Sequence, residues 1–314
     1  MKTVLGTIFL LIHFLACFGQ VDTTKVPFIS YWSKGDSYDF RITKIKQQWK
    51  EGVLTKNDSS AYVVNFLVID STESNYKIKW SYKTNLTEFN IPPELFDKFS
   101  EYEITDVIYQ TSEVGEFIGI ENWEEISRMM NRLFTDLIDI YAKEKKISKD
   151  VLAKSMQSLI SFYNSKQGIE QIVFKELQYF HFPFGLVYSI SEPIIYEETL
   201  PSLLGGNSIR GDSKIYFEYV DFENFYCVFI QEMMLNPEDT KEMITAFINS
   251  MNLDDEEMKK AMNTAKFEIK DYNRYEYFYS PGIPYKIESN RQTLIDINKE
   301  KAKSIEITRI ELIE

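Results

Sequence analysis

Polar and apolar residues alternate at a period of two through the first third of the chain. Tyr76-Lys77-Ile78-Lys79-Trp80-Ser81-Tyr82-Lys83 alternates strictly, and Tyr38, Phe40 and Ile42 interleave with Asp39, Arg41 and Thr43. Successive side chains of a strand point to opposite faces, so this pattern predicts a sheet with one buried and one wet face. Ala61 to Ile69 is apolar at nearly every position and reads as a central strand. The polar clusters Lys56-Asn57-Asp58-Ser59-Ser60 and Asp70-Ser71-Thr72-Glu73-Ser74-Asn75 predict turns on either side, giving an antiparallel meander.

The period then changes to that of a helix. Trp123, Ile126, Met130, Leu133, Leu137 and Tyr141 recur at three- and four-residue spacing, one apolar stripe. Ser148 is placed to cap a second helix carrying Val151, Leu152, Met156, Leu159, Ile160 and Tyr163. A third is expected from Gly168 to about Tyr179, ending before Pro183. Strand patterns return at Lys214 to Asp221 and Glu223 to Met233, a hairpin, and Asn236-Pro237 opens a helix with Met243, Ile244, Phe247, Ile248 and Met251. Three more strands are expected near 266–279, 283–289 and 304–313. In the last, Ile305 and Ile307 are out of phase with Ile310 and Leu312, which a bulge near Thr308-Arg309 would repair.

These elements define an α+β fold of antiparallel β-meander sheets covered by amphipathic helices. The chain divides into a leader at 1–19, a first β-rich half at 20–122, a helical segment at 123–180 and a second β-rich half at 181–314. The two halves share a local likeness. Tyr102-Glu103-Ile104-Thr105-Asp106 parallels Phe267-Glu268-Ile269-Lys270-Asp271, and the segments beginning at Gly115 and Gly282 parallel one another. Two pseudo-repeated halves would explain this, as would two hairpins of similar composition.

The leader changes the setting. Lys2 precedes an apolar stretch from Val4 to Phe18, about 22 Å of helix at 1.5 Å per residue, short of the roughly 30 Å a spanning helix needs. This is the pattern of a secretory signal. Cys17 and Gly19 suit cleavage before Gln20, leaving a periplasmic or extracellular protein without a transmembrane span. Phe14-Leu15-Ala16-Cys17 offers the alternative of lipidation at Cys17 and anchoring to the envelope.

Charge and composition exclude several classes. The net charge is −13, and loss of residues 1–19 with their one charge, Lys2, takes it to −14. An acidic chain lacks the basic stripe that nucleic acid requires. Cys227 is the one cysteine beyond the leader, within Asn224-Phe225-Tyr226-Cys227-Val228-Phe229-Ile230, and reads as a core residue.

The search for chemistry is negative. Gly206-Asn207-Ser208-Ile209-Arg210-Gly211 lacks the spacing of a nucleophile elbow. His181, within Tyr179-Phe180-His181-Phe182-Pro183-Phe184, is expected as a packed neutral imidazole. Val68-Ile69-Asp70-Ser71-Thr72 has Thr72 where an aspartic protease needs glycine. Neither H-E-x-x-H nor C-x-x-C is present, and Asp254-Asp255-Glu256-Glu257 lacks the pattern of a calcium loop, so no metal or cofactor is implied. With 48 carboxylates, no chosen pair singles out a glycoside hydrolase.

Aromatic content is the compositional excess, with 23 Phe, 20 Tyr and 4 Trp. Sheets accommodate aromatics in their cores. Trp80, Tyr82, Phe217 and Tyr219 are the aromatics expected to line an apolar concavity.

Lys34-Gly35-Asp36-Ser37-Tyr38, the hairpin from Val68 to Trp80, the segment from Gly115 to Trp123 and the leader ending Phe18-Gly19-Gln20 resemble uncharacterised exported proteins of Gram-negative envelopes. That resemblance carries no known activity and implies no catalytic residue. At fold level a curved antiparallel sheet covered by helices is similar to the periplasmic lipoprotein carriers of the LolA type. The expected function is therefore a non-enzymatic exported protein binding a lipid or other apolar ligand, or an envelope protein partner. The alternatives are a structural or interaction protein of the envelope and an unrecognised carboxylate-dependent hydrolase.

Overall fold

Alternation becomes strand wherever the sequence analysis placed it, and the strands run longer than the apolar pattern. The computed structural model describes residues 22–83, 106–146, 148–200, 207–250, 260–262, 264–298 and 300–313. The leader at 1–19, with Cys17, lies outside the described residues, as do Asp254 to Glu257 and Tyr102 to Thr105. In chain order the elements are β1 (Lys25–Pro27), β2 (Ser37–Lys50), β3 (Val53–Ser71), β4 (Asn75–Tyr82), β5 (Asp106–Ser112) and β6 (Phe117–Ile120). Next come α1 (Trp123–Lys145), α2 (Lys149–Tyr163) and α3 (Lys175–His181). They are followed by β7 (Val187–Ser189), β8 (Ile194–Leu200), β9 (Ile209–Asp221), β10 (Tyr226–Leu235), α4 (Pro237–Ser250), β11 (Lys266–Phe278), β12 (Ile283–Ile297) and β13 (Glu300–Leu312).

Among the described residues one antiparallel sheet of eleven strands holds the order β6-β5-β4-β3-β2-β13-β12-β11-β10-β9-β8, and β1 pairs with β7 separately. The two β-rich halves therefore join in a single sheet where β2 meets β13, Ile42 opposite Ile310.

Several local expectations are corrected. Lys56 to Ser60 is not a turn but part of β3; the turn is Glu51-Gly52, both at positive φ (50° and 77°), the backbone of a two-residue hairpin. No bulge interrupts β13, because its ladders with β12 and β2 run unbroken from Ala302 to Glu311. Ile305 and Ile307 are out of phase with Ile310 because they occupy the other face. The third helix is broken: a helical turn at Lys166–Gly168 and a π turn at Ile169–Val173 precede α3. β9 begins at Ile209 and β12 extends to Ile297, both beyond the expected limits. Asn236 caps α4 as expected, its side-chain oxygen accepting from the Glu238 and Asp239 amides.

One face of the sheet, the inner face, carries the core. Phe180 of α3 packs against Phe40, Phe66 and Trp80 at 5.4, 5.3 and 5.8 Å between ring centroids. Phe182 stacks on Tyr275 at 5.3 Å. Phe28, just after β1, meets Tyr188, Phe229 and Tyr277 edge-on. Ile126, Met129 and Met130 of α1 join this core. On the same face α4 sets Met243 against Ile209, Met233 and Leu235, and Ile244 and Ile248 against Phe267. The outer face is knitted by cross-strand ion pairs such as Lys83–Asp39, Arg309–Glu288 and Lys286–Glu311.

Candidate functional site on the inner face

The inner face changes chemistry row by row along its strands. The pairing registers align Phe217, Phe229, Tyr275, Ile287, Ile310, Ile42 and Tyr62 in one row across seven strands. One step towards the hairpin tips, the row is Ile215, Gln231, Asn273, Ser289, Thr308, Lys44 and Ser60. One step further it is Asp271, Arg291, Glu306, Lys46 and Asp58, charges of alternating sign across β11, β12, β13, β2 and β3. Opposite charges directly across strands attract, so this ladder is self-consistent. Arg291 grips Asp271 with two hydrogen bonds, and Lys46 Nζ lies 2.6 Å from Glu306.

The polar row is partly dry. Gln231, Asn273 and Ser289 are buried, as is Asp271 of the charged row. Asn273 donates to the Gln231 side-chain oxygen at 2.8 Å, and Gln231 donates to the Tyr196 hydroxyl at 3.3 Å. Asn273 Oδ1 and the Tyr275 hydroxyl have no hydrogen-bond partner among the described residues. A buried polar atom left unpaired costs on the order of 1–3 kcal/mol, so a polar stripe here is expensive for folding alone.

At the other end of the row α3 delivers a buried carboxylate. Glu176 Oε1 accepts from the Tyr62 and Tyr82 hydroxyls at 3.1 and 3.2 Å, and Oε2 lies 3.4 Å from Lys44 Nζ. Burial first, and the Glu176 charge second, push both tyrosines well above their ordinary range, so they remain donors.

Over the β13, β2 and β3 part of these rows the inner face is open. A groove of about 340 Å³ is lined by Lys44, Lys46, Asp58, Ser60, Glu306 and Thr308. Next to it, at the hairpin tips, a groove of about 430 Å³ has Ile295, Ile297 and Ala302 at its floor with Thr293, Ser304 and Gln48, and Lys50, Glu300, Lys301 and Lys303 also line it. The surface thus runs from an aromatic core through fixed polar and charged groups to a mixed stretch in which Ile295, Ile297 and Ala302 lie among Lys50 and Glu300.

The four aromatics singled out from sequence do not converge. Trp80 is fully buried against Phe40 and Phe180, part of the filled core. Tyr82 holds Glu176. Phe217 packs on Tyr188 and Phe229 in the other half of the sheet. Tyr219, two residues on, was expected on the same face as Phe217. The ladder with β10 shifts between Val228 and Phe229, so Tyr219 stands on the outer face, 53% exposed.

His181 and Cys227 are core residues. His181 Nδ1 donates to the Gly115 carbonyl at 2.8 Å, so Nε2 accepts from the Tyr109 hydroxyl at 2.9 Å. Burial lowers its pKa to about 4, and burial raises the Cys227 thiol far above its usual range. Among the described residues no three histidine, cysteine or carboxylate groups gather to hold a metal ion, and no helix is long and apolar enough to cross a membrane.

The ladder residues Lys46, Asp58, Asp271, Arg291 and Glu306 escaped the sequence reading. Their signal was present: each continues the period-two phase of an inner apolar position, as Phe40, Ile42, Lys44 and Lys46 do.

Comparison with known proteins adds no identity. No family model and no curated protein matches the chain. A solved structure describing lipid–protein interactions in lipovitellin is similar at a TM-score of 0.45 and 8% identity, covering 90% of this chain and 25% of that one. The Acinetobacter baumannii outer membrane protein Omp33 gives a TM-score of 0.15 at 8% identity, covering 89% of this chain and 100% of its own. The chain spans about a quarter of the length of the lipovitellin chain. At these values neither likeness bears on the function of this chain.

Proposed function

We propose that this is an exported, non-enzymatic binding protein whose ligand is an amphiphile, held on the inner face of the sheet at the tips of its central hairpins. The carrying observation is the gradation of that face. The apolar patch of Ile295, Ile297 and Ala302, bordered by the Lys50–Glu300 ion pair, begins one row from Thr293, Ser304 and Gln48, and two rows from the Asp271–Arg291–Glu306–Lys46–Asp58 ladder. An alkyl chain fits the first and a polar head the last. The aromatic core is not the site, because its interior is occupied by the chain's own rings. Apolar pockets with a few placed polar groups are the usual form of a small-molecule site.

Export rests on the leader pattern, and cleavage before Gln20 with release into the periplasm or outside the cell follows from the small residues Cys17 and Gly19. Acylation at Cys17 would hold the same domain to the envelope. Native mass spectrometry of the protein from its own envelope fraction tests both points. Intact mass fixes the N-terminus, and a non-covalent mass released by organic solvent is the expected ligand. A bare protein overturns the carrier reading.

One observation favours a second reading, a structural or interaction protein of the envelope. β8 is an edge strand whose Ile195 is 75% exposed, a template for pairing with another chain. Ligand-free protein that cross-links to an envelope partner through β8 would select it.

A further inference from the structure

The outer face carries a second surface that the amphiphile reading does not use. Across β9, β10, β11 and β12, Tyr219, Tyr226, Phe278 and Tyr285 form a continuous series, with ring centroids 6.4, 5.5 and 6.2 Å apart. Tyr219 and Tyr285 are 53% and 40% exposed. The rings are tilted by 55°, 58° and 80° from one to the next, the last pair edge to face, so none of the three contacts is a stacked one. Tyr285 is the extra residue of a bulge, for Glu276 pairs with Lys286 and Tyr277 with Pro284. Bulges re-aim side chains, and this one turns Tyr285 to the outer face.

Beside the rings runs a row of hydrogen-bonding groups. The registers align Arg41, Glu311, Lys286 and Glu276 across β2, β13, β12 and β11. A groove of about 530 Å³ opens over them, walled by Tyr285, Leu312 and Ile313. Its two cations and two carboxylates balance. Tyr226 donates to Glu276 at 2.7 Å, which joins the aromatic series to the charged row.

We infer that this outer groove binds a neutral glycan chain. Each ligand class makes a different demand on such a surface. A lipid chain would need an apolar floor, and the floor here is charged. A charged polymer would need one sign, and both signs are present in equal number. A sugar ring offers an apolar C–H face to an aromatic ring and hydroxyls, both donors and acceptors, at its rim. Successive rings spaced by about one sugar width, next to fixed donors and acceptors, meet both demands at once. Tyrosine supplies such contact area at low entropic cost.

The test is calorimetric titration of the full mature chain with chitohexaose, cellohexaose and maltohexaose. Saturable one-to-one binding of at least one oligosaccharide is expected. Tyr285→Ala and Tyr219→Ala, both at exposed positions, should each weaken it at least tenfold, while Tyr285→Phe, which keeps the ring, should retain most of the affinity. Thermal melts of the variants separate lost binding from lost folding. Should either alanine variant fail to fold, Lys286→Ala serves in its place and should weaken binding several-fold. The absence of saturable binding to all three sugars overturns the inference, as does binding unchanged in folded variants.

Discussion

Arg291 meets Asp271 across β11 and β12 with Nε 2.7 Å from Oδ1 and Nη2 2.5 Å from Oδ2, on the face of the sheet that carries the core. The pair is the first rung of an alternating ladder that continues through Glu306 and Lys46 to Asp58. A two-point guanidinium–carboxylate bond fixes orientation as well as charge. Asp271 is only 7% exposed, so its carboxylate is solvated by this partner in place of water.

Arg291→Met should therefore destabilise the protein by about 1–3 kcal/mol, below the cost of breaking a fully buried pair because the Arg291 side chain is 28% exposed. Arg291→Met combined with Asp271→Leu should recover much of that loss. Urea unfolding monitored by tryptophan fluorescence provides the measurement. Equal loss in the single and double variants would remove the pair from the account of this face.

Gly115 and Gly282 close on the same ring. Both sit at positive φ, 95° and 93°, and a β-carbon on either would lie within 3 Å of the Phe184 side chain. The Gly115 carbonyl accepts from His181 and the Gly282 carbonyl from the Trp32 indole, so the two turns are held in parallel ways. Gly115→Ala and Gly282→Ala should each cost at least about 1–2 kcal/mol from the backbone alone, with the clash added. Combining either with Phe184→Leu should be less than additive in a double-mutant cycle. Additivity would mean the ring is not what the glycines accommodate.

His181 sets a pH dependence. Its folded pKa, about 4, lies below the ordinary 6.5, so the unfolded chain takes up a proton that the folded one refuses. Stability from this residue is full above pH 6.5 and falls as pH drops towards 4, by up to about 1.4 kcal/mol per pH unit. His181→Gln should flatten that part of the stability–pH curve. An unchanged slope in the variant would assign the dependence to the carboxylates.

Much of the sheet was legible because period two survives in a half-buried strand. Tyr38 to Thr43 and Tyr76 to Tyr82 gave both strand and face correctly. The tips were not legible. Lys56 to Ser60 looked like a turn because polar residues occupy both faces there, and the true turn, Glu51-Gly52, is only two residues long. The ladder was hidden for the same reason: Lys46 or Asp271 in an inner phase breaks the apolar pattern used to find strands. The join of β2 to β13 is a contact between the chain's two ends, which no local pattern encodes. Tyr219 was assigned to the wrong face because the phase shift depends on how β9 is paired with β10. Trp80 was recognised as an inner aromatic, but its company, Phe40 and Phe180, comes from distant segments and makes it core rather than lining.

The central claim, an amphiphile on the inner face of the hairpin tips, is tested most directly by calorimetric titration of dodecylphosphocholine below its micellar concentration. The mature wild-type chain would be compared with Ala302→Glu, a change at an exposed groove position. The account predicts saturable one-to-one binding to the wild type and at least tenfold weaker binding to the variant, since the new carboxylate would be buried against the alkyl chain. Absence of saturable binding, or equal affinity in a variant that folds normally, would contradict it.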